Sequence, residues 1–319
     1  MIYVIIMVHS HERGKTMDNT YFGKIIIDRR RELDVKQEDL CRGICSRQTL
    51  SRIENGRHKP SRFIAEALLT RLDLPVSYYI NQPTYEEYMQ ILLHDKIADA
   101  IRIGEFEKLP ALVAESRQHI DDNKYFEQQI MRAQAVYALH VEKDIENSRK
   151  ILTDAISLVH PDFSVDTIEK MHLSRDEYNV LNMLANTYSE EDDYEMVIRI
   201  FRKLVENIKN RPDVDSDEEI SRFLIMFQYN LSRALGRLDY YKECYEIADE
   251  AIERHMRVNR LTRLIELLVN KGYGLCAINR KEEGTLVLKD ALDLCRITDH
   301  KRYDEIIRKD AKELFGIEL

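Results

Sequence analysis

Apolar positions fall into two textures along the chain. Up to Pro83 they come in short runs at helical spacing, separated by turns; beyond it they recur at i, i+3 and i+4 over long, paired stretches. In the first texture, Phe22, Ile25, Ile26 and Leu33 mark one face of a helix over 21–33. A second helix begins at Gln37-Glu38-Asp39, where acids suit the positive end of the helix dipole. Ser46 caps a third, with Leu50 and Ile53 facing inward and Gly56 where a left-handed residue ends the helix. A fourth runs from Arg62 to Leu72, and Leu74-Pro75 opens a fifth short segment ending near Asn81.

The second texture predicts helix pairs over 84–103 with 105–118, 123–140 with 144–159, 174–190 with 193–209, 217–237 with 239–256, and 260–278 with 281–297, and a last helix over 299–315. Three pairs open with a capping box: Thr84 with Glu87, Ser174 with Glu177, and Ser216 with Glu219. Leu181, Leu184, Ala185 and Tyr188, followed by Val197, Phe201 and Leu204, give the third pair a tetratricopeptide pattern. The small Ala185 lets two backbones approach, and Tyr188 and Phe201 fill the groove between them. Leu231, Ser232, Leu235, Cys244 and Ala248 echo it in the fourth. No pair can bury its apolar face alone, so the pairs are expected to stack into a right-handed superhelical solenoid with a concave inner wall.

Composition agrees with an all-α chain. Among 319 residues there are only 10 glycines and 6 prolines. Five cysteines without a CxxC pair read as reduced thiols, and no apolar run is long enough to span a bilayer, so the expected compartment is the cytoplasm. The apolar start MIYVIIMV lacks the flanks of a signal peptide, and residues 1–17 read as a disordered or non-native extension ahead of Met17. Charge is uneven: residues 18–80 carry about +3, while 81–319 carry about −13 of the total −9. That asymmetry points the head, and not the body, toward nucleic acid. No nucleophile elbow, phosphate loop, dinucleotide loop or HExxH pair is present, so the chain reads as a non-enzyme without cofactor or metal. Asp213-Val-Asp215-Ser-Asp217 resembles the start of a calcium loop, but Glu218 replaces the needed glycine and Leu224 the bidentate acid.

The segment GICSRQTLSRIENGRHKPS concentrates hydrogen-bonding groups at the start of the third helix. Ser46, Arg47, Gln48, Thr49, Ser51 and Arg52 supply short polar and long basic side chains there. Arginine pairs bidentately with guanine and glutamine with adenine. Gln37, Arg57 and Lys59 flank them as expected phosphate contacts. Residues 23–80 resemble the Cro/repressor-type (XRE-like) helix-turn-helix domain through Gly23, Arg30, Gln37, Glu38, Leu40, Ser51, Glu54, Gly56 and Pro60. The resemblance implies an ion pair between Arg30 and Glu54 that locks the third helix on the first, a structural role shared with Gly56.

The turn between Leu40 and Ser51 is one residue shorter than in the phage-repressor version. In this it is similar to the peptide-sensing regulators named for Rgg, Rap, NprR, PlcR and PrgX. That group implies a five-helix DNA-binding head over 18–80, a linker over 81–86, and a peptide-binding and dimerisation array over 87–319. It also implies a homodimer on a double-stranded operator, controlled by a short signalling peptide in quorum sensing. Asn182, Asn186, Gln228, Tyr229, Asn230, Arg233, Asn270 and Tyr273, spread over the inner helices of three pairs, are the expected peptide floor, and the acidic body suggests a basic peptide. Two other readings stay open: a peptide-independent repressor whose array only dimerises, and a Rap-like adaptor docking a signalling protein.

Overall fold

The computed structural model describes residues 19–74, 85–120, 123–212, 214, 216–258 and 263–319, and every regular element among them is helical. The chain divides into two compact units, Met1–Ile130 and Met131–Leu319. The extension over 1–17, the segment expected beyond Leu74, Thr84 of the first capping box, and Asp213 and Asp215 lie outside the described residues.

The first unit opens with four short helices: α1 (Asn19–Glu32), α2 (Gln37–Cys41), α3 (Arg47–Glu54) and α4 (Arg62–Arg71). Ser46 and Ser61 cap α3 and α4 by accepting hydrogen bonds from the N–H groups of Thr49 and Ile64. Ile26, Leu40, Leu50, Ile53, Leu68, Leu69 and Leu72 form a fully buried core, and Leu33 packs at its edge. Gly23 sets the distance between α1 and α3. A Cβ there would run into the carbonyl oxygens of Ile53 and Glu54, which are rigid backbone. The same unit continues with α5 (Tyr85–Ile103), ended by Gly104 at φ +80°, and α6 (Leu109–Ser116), with a proline in its first turn.

Helix α7 (Lys124–Tyr137) crosses the division and runs into a π turn over Ala138–Glu142. The second unit then alternates α8 (Ile145–Val159), α9 (Arg175–Ser189), α10 (Tyr194–Lys209), α11 (Glu218–Arg237), α12 (Tyr241–Val258), α13 (Leu264–Ala277), α14 (Lys281–Ile297) and α15 (Lys301–Phe315). From α8 onward each packs on the next in chain order, as stacked helical pairs should. The Ser174–Glu177 capping box opens α9 with both reciprocal bonds. The box expected at Ser216 and Glu219 is replaced: Asp217 caps α11, accepting from the N–H groups of Glu219 and Ile220. A carboxylate serves a helix N-terminus as well as a hydroxyl does, so the cap moved by one residue.

Aromatic rings fill the centre of the second unit. Tyr178, Phe201 and Phe227 are fully buried, with ring centroids 5.8 Å apart for Tyr178–Phe227 and for Phe201–Phe227. The Tyr178 hydroxyl donates to Asn207 Oδ1 at 2.6 Å, while Asn207 Nδ2 donates to the carbonyls of Ile168 and Met171, each at 2.8 Å. Asn207 thus pins the loop before α9 to α10 from inside the core. Tyr188 lies half-buried beneath the Arg149 guanidinium, 4.0 Å from its ring centre.

Candidate nucleic-acid interface and ligand face

In the head, one buried carboxylate organises the approach of three helices. Arg30 Nε donates to Glu54 Oε1 at 2.8 Å, Gln37 Nε2 donates to Glu54 Oε2 at 2.6 Å, and a second Arg30 nitrogen reaches the Val35 carbonyl. The Glu54 side chain is only 4% exposed, so this ion pair acts in a dry setting where it fixes geometry. Gln37, expected at a phosphate, has its side chain committed to Glu54.

The turn between α2 and α3 is held from a distance. Arg71, at the end of α4, donates through one nitrogen to the carbonyls of Leu40 at 2.8 Å and Arg42 at 2.7 Å. Gly43 turns the chain at φ +75°, in the left-handed region. Neither residue stood out in the sequence: Arg71 acts across 31 positions on a backbone group, and such a pairing leaves no local pattern.

At the start of α3 the expected base-contacting residues divide. Ser46 and Thr49 share a hydroxyl–hydroxyl bond of 2.8 Å within the cap, and Ser51 is half-buried. Gln48, Arg52, Arg57 and Lys59 are exposed, and no described residue holds their side chains. Arg47 is exposed and shares a 2.8 Å ion pair with Glu38 of α2, an acid on the same surface. Cys41 is buried, and burial beside Cys41 pushes the Cys45 thiol up, away from thiolate chemistry.

Residues 26–79 match the family described as helix-turn-helix. The head is a helix-turn-helix domain. A comparison with curated proteins finds no match. Among solved structures, the chain resembles PlcR of Bacillus thuringiensis in complex with the peptide PapR7 and DNA: 20% identity, 90% of this chain, 99% of that one, TM-score 0.59. It also resembles the pheromone receptor Rgg2 of Streptococcus dysgalactiae, with 13% identity, 92% and 99% coverage and TM-score 0.53. ComR of S. thermophilus, in complex with DNA and its signalling peptide ComS, shares 14% identity over 93% and 100% at TM-score 0.52. These likenesses establish the fold: a helix-turn-helix head followed by a tetratricopeptide-like array.

Of the eight residues expected on a peptide floor, the structure scatters the set. Asn230 Nδ2 donates to Asn182 Oδ1 at 3.1 Å, tying α11 to α9, and Asn270 Nδ2 donates to Ser232 Oγ at 2.8 Å, tying α13 to α11. Arg233 makes a weak contact of 3.4 Å with Ser189, and the Arg233 and Arg263 guanidinium groups flank the Tyr229 ring. Asn186 is half-buried, and no described residue bonds its side chain.

Two of the eight sit deeper in the packing than their spacing implied. Gln228 is fully buried, with both amide atoms unpartnered, because its position on α11 turns it into the core beside Leu224 and Leu231. Tyr273 is half-buried, packing its ring on Phe315 and reaching Asp310 at 3.4 Å, both within α15. Burial, with Asp310 beside it, pushes the Tyr273 phenol well above its ordinary value.

No group of three or more histidine, cysteine or acidic residues among the described residues is arranged to hold a metal ion. No described helix is long and apolar enough to cross a membrane.

Proposed function

We propose that the chain is a sequence-specific transcription regulator whose DNA binding is set by a short peptide bound on the array. The observation that carries this is the start of α3. Gln48 and Arg52 project from a globule fixed by Glu54, with hydrogen-bonding groups that no described residue consumes, and Arg47 lies exposed beside them in a surface ion pair with Glu38. An arginine or glutamine presented rigidly to the major groove discriminates each base pair it reads by about 1–3 kcal/mol. Arg57 and Lys59 add phosphate contacts, and the DNA-binding head spans residues 18–80.

Residues 87–319 form the peptide-binding and dimerisation part. Asn182, Asn186, Tyr229, Asn230, Arg233 and Asn270 offer amide and guanidinium groups suited to an extended backbone. A homodimer brings two heads to two half-sites, because one head alone buries too little DNA surface for tight binding. The exposed Leu286, Ile297, Ile306 and Leu314 at the array's end supply apolar area for such a pairing.

The test purifies the full chain from its native host and identifies any co-purified peptide by mass spectrometry. That peptide is then titrated into the protein bound to promoter DNA. A shift in DNA affinity or dimer geometry supports the reading. DNA binding indifferent to the peptide leaves a peptide-independent repressor, and no DNA binding in either state leaves an adaptor.

A further inference from the structure

Among the described residues at the start of α3, Arg47 alone is engaged by an acid. Its Nη1 donates to Glu38 Oε1 of α2 at 2.8 Å, and the two side chains stay 65% and 66% exposed. The other Arg47 nitrogens and the second Glu38 oxygen have no partner among the described residues. Helix-end electrostatics alone do not account for this acid. Asp39 also sits in the first turn of α2, and it pairs locally, with Arg42 at 2.7 Å. Glu38 instead reaches across nine positions to the helix that carries the expected base contacts. Its anchorage is firm: Gln37 beside it is tied to Glu54 at 2.6 Å, and Arg71 holds the carbonyls of Leu40 and Arg42. An exposed ion pair adds little to stability, so its value lies in where it holds the guanidinium. A guanidinium carries five N–H donors in a fixed fork, and Glu38 takes one of them, which leaves an edge for a base. A carboxylate on a surface that meets DNA also repels phosphates, so its presence there opposes affinity.

We propose that Glu38 is a positioning residue for DNA recognition: it holds Arg47 with its free edge toward the base pairs and keeps that guanidinium off the phosphates, so that Arg47 reads guanine and not backbone. The inference rests on the head being a sequence-specific DNA reader, and it deepens that reading by giving a residue outside α3 a part in selectivity. Gln48 and Arg52 have no such acid among the described residues, so the effect is confined to the base pair that Arg47 reads.

The experiment selects DNA from a randomised pool with the full chain, then measures the affinity of wild type, Arg47→Ala, Glu38→Ala and Glu38→Gln for the selected site and its single-base variants over a range of salt. The base pair whose preference vanishes in Arg47→Ala is the one Arg47 reads. At that pair Glu38→Ala is expected to lose about tenfold in discrimination, while preferences elsewhere stay as in wild type. Its affinity for random DNA should rise, and log affinity should fall more steeply with log salt by about one unit per head, because Arg47 then joins a phosphate. Glu38→Gln keeps an acceptor and loses the charge, so it should steepen the slope in the same way and keep more of the preference. Thermal midpoints are expected to match wild type, as for other exposed substitutions. A lowered midpoint with base preferences intact would assign Glu38 to the stability of α2 alone and overturn the proposal. An equal loss at every base pair, or no pair lost in Arg47→Ala, would do the same. If wild type selects a sequence and the Glu38 variants prefer it equally at every pair, the DNA-reading head stands and this inference fails. If wild type selects no sequence, the regulator reading fails and the inference falls with it.

Discussion

The helix-turn-helix head and the helical array handle polar side chains in opposite ways. The head gathers its internal polar demand onto one carboxylate, Glu54, and leaves Gln48, Arg52, Arg57 and Lys59 on its surface without partners among the described residues. The array spends its amides between its own helices: Asn182 on Asn230, Asn270 on Ser232, Asn207 on Tyr178. A stack of similar helices needs register, and polar bonds between successive inner helices supply it where apolar surfaces alone slide. In the head that register comes from Gly23 and the Arg30–Glu54 pair, so the remaining polar residues are available to a partner. A polar residue on a helix is therefore evidence for ligand contact only after its neighbours have been asked for a bond.

The largest effect is expected where the head is keyed. Glu54→Ala strands Arg30 and Gln37 and should destabilise the head by about 3–5 kcal/mol, while the array keeps its own transition. Two-probe denaturation resolves this, and one unchanged common transition would mean the key is not there. Asn207→Ala should cost the array about 2–3 kcal/mol, since it unpairs the Tyr178 hydroxyl and two carbonyls, and leave the head unaltered. A smaller contrast separates two asparagines in the array. Asn230→Ala breaks the bond to α9 and should lower array stability by about 1 kcal/mol, whereas Asn186→Ala should change stability by less than about 0.5 kcal/mol and affect peptide binding alone. Equal losses in both would erase the distinction between a committed and an available amide.

How much of this was legible in the sequence differs by region for the same reason. The order and near-complete extent of the described helices followed from apolar spacing and capping residues, because both are local. The pairing of Arg30 with Glu54 was reachable through resemblance to repressor-type heads, since a dense motif carries its own long-range contact. Arg71 and Asn207 were not legible: each acts through a partner that helix packing alone brings near. Gln228 misled because residues one position apart on a helix point about 100° apart, and Gln228 is fully buried where Tyr229 is only partly so.

The most direct test is selection of DNA from a randomised pool by the full chain and by an Arg47→Ala, Gln48→Ala, Arg52→Ala triple variant. All three side chains are exposed, so the variant should melt within about 0.5 kcal/mol of wild type. Wild type is expected to enrich a two-part sequence, and the variant to enrich none, with affinity for the selected site lower by about 100-fold or more. Recovery of the same sequence at equal affinity by both proteins would contradict the account.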